Sequence, residues 1–253
     1  MSDAKHGRLF VCGDMHGIPS DTRKINARNF PEGKHLSEQD VIIQLGDFGW
    51  IWYPFGVNKE QEHWLDWIAE KPFTFAFLPG NHENYDIIET LPTIQKWGST
   101  VAVLRRKTGD IYILLKGNLY TINGKTILAI GGAKSIDKIY RIPYKSWWPQ
   151  ETLTKAEEDN TLDNLESVNN IVDYVLTHTC PTHLVLDMFE NDTENAFYGM
   201  QKIHDPVSEF LEYLDNIIAF KEWHFGHMHK DQRIEKYNCV YQCHYNKPPH
   251  ELD

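Results

Sequence analysis

The chain has 253 residues, 41% of them hydrophobic, which suits one α/β domain spanning residues 1–253 with one substantial core. Its formal net charge of -11 disfavours proteins that coat nucleic acid or an anionic membrane, because both surfaces attract clustered lysine and arginine. No apolar run approaches the roughly 20 residues of a membrane-spanning helix, and four scattered cysteines are too few for a disulfide framework, so we expect a cytoplasmic protein.

Six short apolar runs bounded by turn residues predict buried β-strands. In chain order they are Arg8–Cys12, Val41–Leu45, Phe73–Leu78, Thr126–Ile130, Ile171–Thr177 and Trp223–Phe225. Side chains with metal-ligand or acid–base chemistry follow five of these runs. Because ligands of α/β sheets bind beyond the carboxyl ends of the strands, these side chains are candidates for a functional site.

Helical signals lie between the strands. Residues Gln61–Lys71 carry an apolar stripe at helical spacing. Asp205 followed by Pro206 is typical of a helix start, and Thr154 with Glu157 is typical of a capping box. We expect the apolar stripes to pack onto the core and to have no role in chemistry.

Two further segments were assessed for binding roles. Glu190–His204 has no clear period and is either a flap over the site or an inert surface loop. Cys239 and Cys243 form an isolated pair, without a second Cys or His pair at finger-like spacing. We therefore expect ordinary strand residues there, and no structural zinc site built on the two cysteines.

Seven residues with metal-ligand chemistry lie in five short motifs, and they are Asp14, His16, Asp47, Asn81, His178, His227 and His229. Mixed imidazole and carboxylate ligands suit manganese, zinc, iron or nickel, whereas calcium and magnesium prefer oxygen. In the first and last motifs, i, i+2 spacing puts both side chains on one side of an extended segment. One such motif alone is usually surface or core, but five that each follow a strand signal indicate a metal site.

In this order the motifs resemble the signature of the calcineurin-like metallophosphoesterase superfamily. They read Gly13-Asp14-Met15-His16, Gly46-Asp47, Gly80-Asn81-His82-Glu83, Thr177-His178 and Gly226-His227-Met228-His229. The resemblance spans most of the chain and implies an α/β fold in which two mixed β-sheets pack as a sandwich flanked by helices, in four layers. It also implies two divalent transition-metal ions per chain, with manganese the first expectation and zinc, iron or nickel the alternatives.

The resemblance also implies a role for each residue of the motifs. One ion would be held by Asp14, His16 and His229, the other by Asn81, His178 and His227, with Asp47 bridging both. Two such ions lower the pKa of a bound water, so the implied reaction is hydrolysis of a phosphodiester or phosphomonoester by a metal-bridging hydroxide. His82 is outside the ligand set and would be the general acid that protonates the leaving oxygen.

One departure from the family pattern concerns substrate binding. Family phosphatases often continue the second motif as Gly-Asp-x-x-Asp-Arg, whereas this chain reads Gly46-Asp47-Phe48-Gly49-Trp50-Ile51. Without that arginine, Lys138 or Arg141 is a candidate substrate-binding residue, and a Gly-rich turn with solvated charges is the alternative for their segment. Aromatic residues near the motifs either stack on a nucleobase or pack loops onto the domain, and they are Trp50, Trp52, Tyr53, Tyr140, Tyr144, Trp147 and Trp148.

The leading hypothesis is a phosphoesterase acting on a small or nucleotide-like phosphate ester. A nuclease of the same superfamily is an alternative, although the net charge and the lack of a Lys/Arg run argue against extended nucleic acid as the substrate. A non-catalytic scaffold that retained the fold is a second alternative. It predicts missing ligands or a missing His82, and all of these residues are present.

Overall fold

A computed structural model describes residues 7–189, 204–241 and 248–253 of the chain. These residues form two mixed β-sheets, one of seven strands and one of six. The strands of the first sheet are β1 (Leu9–Cys12), β2 (Val41–Gln44), β3 (Thr74–Phe77), β4 (Thr93–Lys96), β5 (Ser99–Arg105), β6 (Asp110–Leu114) and β13 (His250–Glu251). The strands of the second sheet are β7 (Asn118–Ile122), β8 (Lys125–Ile130), β9 (Ile171–Thr177), β10 (Ala219–Phe225), β11 (Gln232–Ile234) and β12 (Tyr237–Cys239).

Helices lie outside the two sheets. In the described residues they are α1 (Pro19–Thr22), α2 (Lys59–Ala69), α3 (Tyr85–Ile88), α4 (Lys155–Ser167), α5 (Thr182–Phe189) and α6 (Pro206–Asp215). The side chains of Asn58, Thr154 and Asp205 accept hydrogen bonds from the first turns of α2, α4 and α6. Such caps satisfy backbone N–H groups that have no partner within the helix. No helix in this part of the chain is long and apolar enough to cross a membrane.

Each sheet is parallel at its centre and antiparallel at its edges. The first has the order β13-β1-β2-β3-β6-β5-β4, in which β1, β2, β3 and β6 run parallel. The second has the order β11-β12-β10-β9-β8-β7, in which β12, β10, β9 and β8 run parallel. The carboxyl ends of parallel neighbours lie at the same edge of a sheet, so the loops that follow them meet there.

The core explains why the sheets pack as they do. Val11 of β1 lies with Leu176 of β9 in a buried cluster between the two sheets. The next residue back, Phe10, points outward and lies with Leu65 of α2 in a second cluster. A third cluster buries the outer face of the second sheet under α5 and α6. Two mixed sheets between helical layers confirm the predicted four-layer α/β sandwich.

The structure contains all six strands predicted from apolar runs. Five have both ends within one residue of the prediction, whereas the last, β10, begins at Ala219 instead of Trp223. The prediction missed β4 to β7, β11 to β13 and the helices α1, α3 and α5. The capping box of α4 and the start of α6 at Asp205 are confirmed. Residues 190–203 of the predicted flap or surface loop, and Cys243, lie outside the described residues.

Candidate metal centre and active site

The seven predicted ligands lie at the carboxyl ends of strands from both sheets. They follow β1 (Asp14, His16), β2 (Asp47), β3 (Asn81), β9 (His178) and β10 (His227, His229). Six of the side chains form two overlapping clusters, and Asn81 contacts one of them through His178, so the site lies across the seam between the sheets at one end of the sandwich.

Four side chains form the first cluster. Asp14, His16, Asp47 and His229 each offer a ligand atom, and these atoms lie within 4.8 Å of one another. Nε2 of His229 is 3.2 Å from Oδ2 of Asp14 and 3.2 Å from Nε2 of His16. Nε2 of His16 is 3.3 Å from Oδ2 of Asp47. The three side chains expected on one ion and the expected bridging carboxylate are therefore together.

The second cluster shares Asp47 with the first. Asp47, His178 and His227 again offer ligand atoms within 4.8 Å of one another. Nε2 of His178 is 3.2 Å from Oδ1 of Asp47 and 3.1 Å from Oδ1 of Asn81. Asp47 thus turns one carboxylate oxygen toward each cluster.

The contacts of His178 test whether a metal ion fits this position. Its Nδ1 lies 2.8 Å from the carbonyl oxygen of Leu45, to which it donates, so Nε2 faces the acceptor oxygens of Asp47 and Asn81. Burial is the largest single influence on His178 and lowers its pKa, but the charge of Asp47, the hydrogen bond to Asp47 and the charge of Asp14 together raise the pKa to about 9. The raised pKa favours a proton on this ring when no metal ion is bound. Imidazole, amide and carboxylate donors also fit a transition-metal ion, which would displace the proton.

Asp14 and Asp47 are the two buried carboxylates of the site, and both are expected to be negatively charged. Burial alone would raise the pKa of Asp14 and of Asp47. The hydrogen bond from His229 lowers the pKa of Asp14 below its usual value, and the charge of His178 holds that of Asp47 well below it. Both side chains are therefore ionised and ready to bind a cation.

The backbone of the ligand loops is unusual. Four ligands have positive φ angles, namely His16 (51°), Asp47 (54°), His227 (61°) and His229 (53°). This left-handed region is uncommon for residues other than glycine, and such outliers concentrate at functional sites. Gly46 is required by close approach as well as by its φ of 91°, because a Cβ there would lie 2.3 Å from Nδ1 of His178.

His82 lies beside the ligands but belongs to neither cluster. Its backbone N–H donates to Oδ1 of Asp47 at 2.8 Å, and its ring centroid is 5.5 Å from that of His16. Nη2 of Arg141 lies 3.1 Å from Nε2 of His82. A cavity of about 490 Å³ opens at this point, lined by Asp47, Asn81, His82, Arg141, His227 and His229. The predicted general acid and one predicted substrate-binding residue therefore meet at the metal clusters.

The family model for calcineurin-like phosphoesterases matches residues 7–231, which include both clusters and His82. The chain belongs to this family. Membership implies a metal-dependent hydrolase acting on phosphate esters, and members usually bind a dinuclear metal centre. The clusters around Asp47 supply a plausible ligand set for such a centre.

Comparison with individual proteins adds little to the family match. No curated protein matches the chain in sequence. Among solved structures, the chain is similar to a protein of unknown function from Aquifex aeolicus, with 13% identity and a TM-score of 0.30 over 97% of this chain and 95% of that one. A TM-score this low does not establish a shared fold.

Lys138, the other predicted substrate-binding residue, is engaged away from the cavity in this phosphoesterase. Its Nζ lies 2.9 Å from Oε1 of the buried Glu151. Oε2 of Glu151 accepts a hydrogen bond from Oγ of Ser135 at 2.6 Å, and Oγ of Ser135 accepts one from Nδ2 of Asn81 at 3.2 Å. This chain of contacts fixes the amide of Asn81 so that its Oδ1 faces His178. Nothing in the sequence indicated roles for Ser135 or Glu151.

Glu83 is a second residue whose role was not predicted, although it ends the Gly80–Glu83 motif. Its carboxylate accepts hydrogen bonds from the backbone N–H groups of Gly49, at 3.0 Å, and Gly80. Burial raises the pKa of Glu83 to about 7, and the charge of Asp47 acts in the same direction. Glu83 therefore ties the loop after β2 to the loop after β3, the two loops that carry Asp47 and His82.

Two of the aromatic residues near the motifs pack loops onto the protein. Trp50 and Trp148 are 4% and 2% exposed. The indole N–H of Trp50 donates to Oγ1 of Thr22 at 2.7 Å, and that of Trp148 donates to Oδ2 of Asp86 at 2.9 Å. Base stacking is therefore the wrong interpretation for these two rings, whose faces and N–H groups are already used.

Other aromatic residues remain accessible near the site. Tyr53, Tyr140 and Tyr144 are 47%, 85% and 60% exposed. Trp52 packs edge-on against Trp148, with ring centroids 5.2 Å apart. A second cavity, of about 350 Å³, has among its lining residues His16, Trp50, Trp52, Tyr53, Gln61 and His82. Trp52 and Tyr53 therefore share a cavity with His16 and His82, whereas Tyr140 and Tyr144 are not among its lining residues.

Proposed function

We propose that this protein is an active dinuclear phosphoesterase whose substrate is a small, nucleotide-like phosphate ester. The position of Asp47 carries the proposal, because its two oxygens lie 3.3 Å from His16 and 3.2 Å from His178, one facing each cluster. One ion would bind Asp14, His16 and His229, the other Asn81, His178 and His227, with Asp47 between them. Manganese is the first candidate metal. Because these ligands are drawn from residues 14 to 229, we also propose a single catalytic domain.

When bound, two divalent ions would acidify a water molecule and neutralise phosphoryl oxygens. The remaining tasks fall to side chains of the cavity. Arg141 would hold the phosphoryl group, because a planar guanidinium can donate two parallel hydrogen bonds to it. His82, 3.1 Å from that guanidinium, would deliver a proton to the leaving oxygen.

The aromatic cavity supports a nucleotide-like substrate. His16 and His82 line it together with Trp52 and Tyr53. A phosphoryl group held at His82 would leave a base within reach of the exposed Tyr53 ring. The net charge of -11 favours a small ester over an extended polyanion.

Metal analysis tests the dinuclear centre. Asp47→Asn keeps the shape of the side chain but removes its negative charge and one of its two donor oxygens. This variant should bind about two fewer metal equivalents than wild type and lose hydrolysis after reconstitution with Mn, Zn, Fe or Ni. Asp163→Asn, at an exposed position of α4, is the matched control and should change neither quantity. Near-normal metal content and turnover in Asp47→Asn would overturn the proposed bridge.

A substrate panel tests the nucleotide-like class. Monoesters, linear diesters, cyclic nucleotides and short oligonucleotides should be compared with wild type and with Tyr53→Ala. Loss of a stacking contact should raise KM for nucleotide esters roughly 5- to 100-fold and leave alkyl phosphates unaffected. Tyr213→Ala, which removes an equally exposed ring on α6, should have no effect. Faster hydrolysis of oligonucleotides than of nucleotides would instead support a nuclease.

A further inference from the structure

A third group of potential metal ligands lies outside both clusters of the active site. Glu222, His224 and His250 each offer a ligand atom, and these atoms lie within 4.8 Å of one another. His224 is fully buried, Glu222 is half-buried, and His250 is exposed. None of the three belongs to the clusters around Asp47. The group is therefore a separate structural feature.

The strand registers explain why these side chains meet. Glu222 and His224 of β10 lie beside Tyr174 and Leu176 of β9, both of which are buried between the sheets. His250 of β13 lies beside Val11 of β1, which is buried in the same layer. Side chains of neighbouring strands in register point to the same face. The three side chains therefore enter the space between the sheets from opposite sides, at the edge that β13 covers.

The contacts within the group leave ligand atoms available. Nε2 of His224 lies 3.1 Å from Oε2 of Glu222, while Arg233 takes the other carboxylate oxygen, with Nη2 3.0 Å from Oε1. The ring centroids of His224 and His250 are 5.2 Å apart. Among the described residues, the buried Nδ1 of His224 has no hydrogen-bond partner. The ring of His224 therefore places one nitrogen against Glu222 and leaves the other, buried nitrogen with unused capacity for a hydrogen-bond partner or a cation.

We propose that Glu222, His224 and His250 form a zinc site that joins the C-terminal strand β13 to the second sheet. Two imidazoles and one carboxylate are a known set of three protein ligands for zinc, and a water molecule would fill the fourth position. Zinc holds such ligands at about 2.0–2.2 Å in a tetrahedron, which separates neighbouring ligand atoms by roughly 3.4 Å. The observed 3.1 Å between Glu222 and His224 is close to this value. Rotation of the exposed His250 ring completes the set.

The ion would reinforce the join between β10 and β13. β13 contains only two residues, and it is held by pairing with β1, by the ion pair of Glu251 with Arg8 and by the buried side chain of the next residue, Leu252. A zinc ion bound at once by β10 and β13 would add a second link to the hydrogen bond that the carbonyl oxygen of Asp253 accepts from Nζ of Lys221 at 2.8 Å. The cysteine spacing predicted no zinc site built on Cys239 and Cys243. The proposed site uses neither cysteine, so it does not conflict with that prediction.

Zinc stoichiometry tests the proposal on the full-length chain. Protein stripped with a chelator is saturated with zinc, freed of excess by gel filtration and analysed for metal. His250→Ala should bind one equivalent fewer than wild type. His183→Ala is the matched control, because His183 is also a partly exposed histidine beside a glutamate, with Nδ1 2.7 Å from Glu212. It should bind as much zinc as wild type.

A thermal-shift measurement separates this site from the proposed catalytic centre. In an Asp47→Asn background, zinc should still raise the melting temperature, and adding His250→Ala should abolish that rise. Glu222→Gln should reproduce the loss without exposing any new apolar surface. If the catalytic centre bound fewer than two ions, the total zinc content of each protein would fall. The difference of one equivalent between wild type and His250→Ala would remain. Equal zinc content in wild type and His250→Ala would overturn the proposal.

Discussion

At the scale of single residues, His82 lies beside the proposed metal ligands and is expected to act as a general acid. It touches Asp47 through its backbone and Arg141 through its ring, and it belongs to neither metal cluster. His82→Ala should retain its metal and lower kcat by about 10²- to 10⁴-fold, the range of a positioned general acid. Rates on alkyl esters and metal content measure the two effects.

The leaving group distinguishes acid catalysis from general damage at His82. An alkoxide needs a proton as its bond to phosphorus breaks, whereas nitrophenolate leaves readily as an anion. The deficit of His82→Ala should therefore shrink on nitrophenyl esters. Equal losses on both ester types, or loss of metal from the variant, would contradict the role given to His82.

Arg141 and Lys138 were equal candidates for substrate binding in the sequence. Their positions in the structure predict different effects of substitution. Arg141 faces the cavity, whereas Lys138 pairs with the buried Glu151. Arg141→Ala should lower kcat/KM about 10- to 100-fold, the value of a hydrogen bond to a charged group. Lys138→Ala should instead lower the melting temperature, because it leaves a buried carboxylate without its cation, and should leave KM near wild type.

Steady-state kinetics and thermal unfolding of both variants decide between the two assignments. Arg28→Ala, at an exposed position away from the cavity, is the control for loss of positive charge. A rise in KM for Lys138→Ala as large as that for Arg141→Ala would show that both residues bind the substrate.

At the scale of elements, Asp40 holds the start of β1 against the turn before β2. Its carboxylate accepts hydrogen bonds from the backbone N–H groups of Arg8 and Ser37, both at 2.7 Å. Burial acts to raise the pKa of Asp40, but these bonds outweigh it and lower the pKa. The ionised carboxylate therefore stabilises the folded state.

The stabilisation by Asp40 should depend on pH in a defined direction. Because the folded pKa lies below the unfolded value of about 3.9, the contribution is complete above that pH and is lost as the pH falls through the folded value. Asp40→Asn should cost about 1.5 kcal/mol of unfolding free energy at neutral pH. Urea unfolding measures the difference in unfolding free energy between wild type and Asp40→Asn. This difference should become smaller below about pH 4, and a difference independent of pH would contradict the role of Asp40.

The elements that carry the ligands could be predicted because their burial is simple. Every residue of β1 and β2 is buried, and all of them except Gln44 are apolar, so both strands appear in the sequence as apolar runs. The strand β4 alternates between exposed and half-buried residues, and β13 has two exposed residues. Pairing with β5 and β1 holds these strands in place, so an apolar pattern could not predict them.

The same distinction applies to the site. The ligands and His82 could be predicted because five motifs carry them. The chain from Asn81 through Ser135 to Glu151 could not, since its members are 54 and 16 residues apart and no spacing relates them. Only the packing of the segment after β8 against the loop after β3 brings them together.

At the scale of the whole molecule, the candidate site draws its side chains from both sheets. Asp14, Asp47 and Asn81 come from the first sheet, and His178 and His227 come from the second. Metal bound by residues of both sheets would stabilise the folded state, because the unfolded chain offers no site of comparable affinity. Removing it with a chelator should therefore lower the melting temperature.

The size of this effect follows from metal affinity. A ligand at 100 times its Kd adds about 2.7 kcal/mol to the unfolding free energy, so the melting temperature of wild type should rise with metal concentration. Asp47→Asn should respond much less, because it disrupts both clusters. A melting temperature of wild type that is independent of chelator and metal would contradict a link between the sheets.

The positive φ angles of four ligands limit how this centre can be redesigned. Asparagine, aspartate and histidine are the residues other than glycine that most often adopt the left-handed region, so backbone and metal select the same residue types at His16, Asp47, His227 and His229. Cysteine or glutamate would supply a donor atom but add a backbone cost of about 1–2 kcal/mol. Variants with altered metal selectivity are therefore accessible mainly through exchanges among asparagine, aspartate and histidine at these positions.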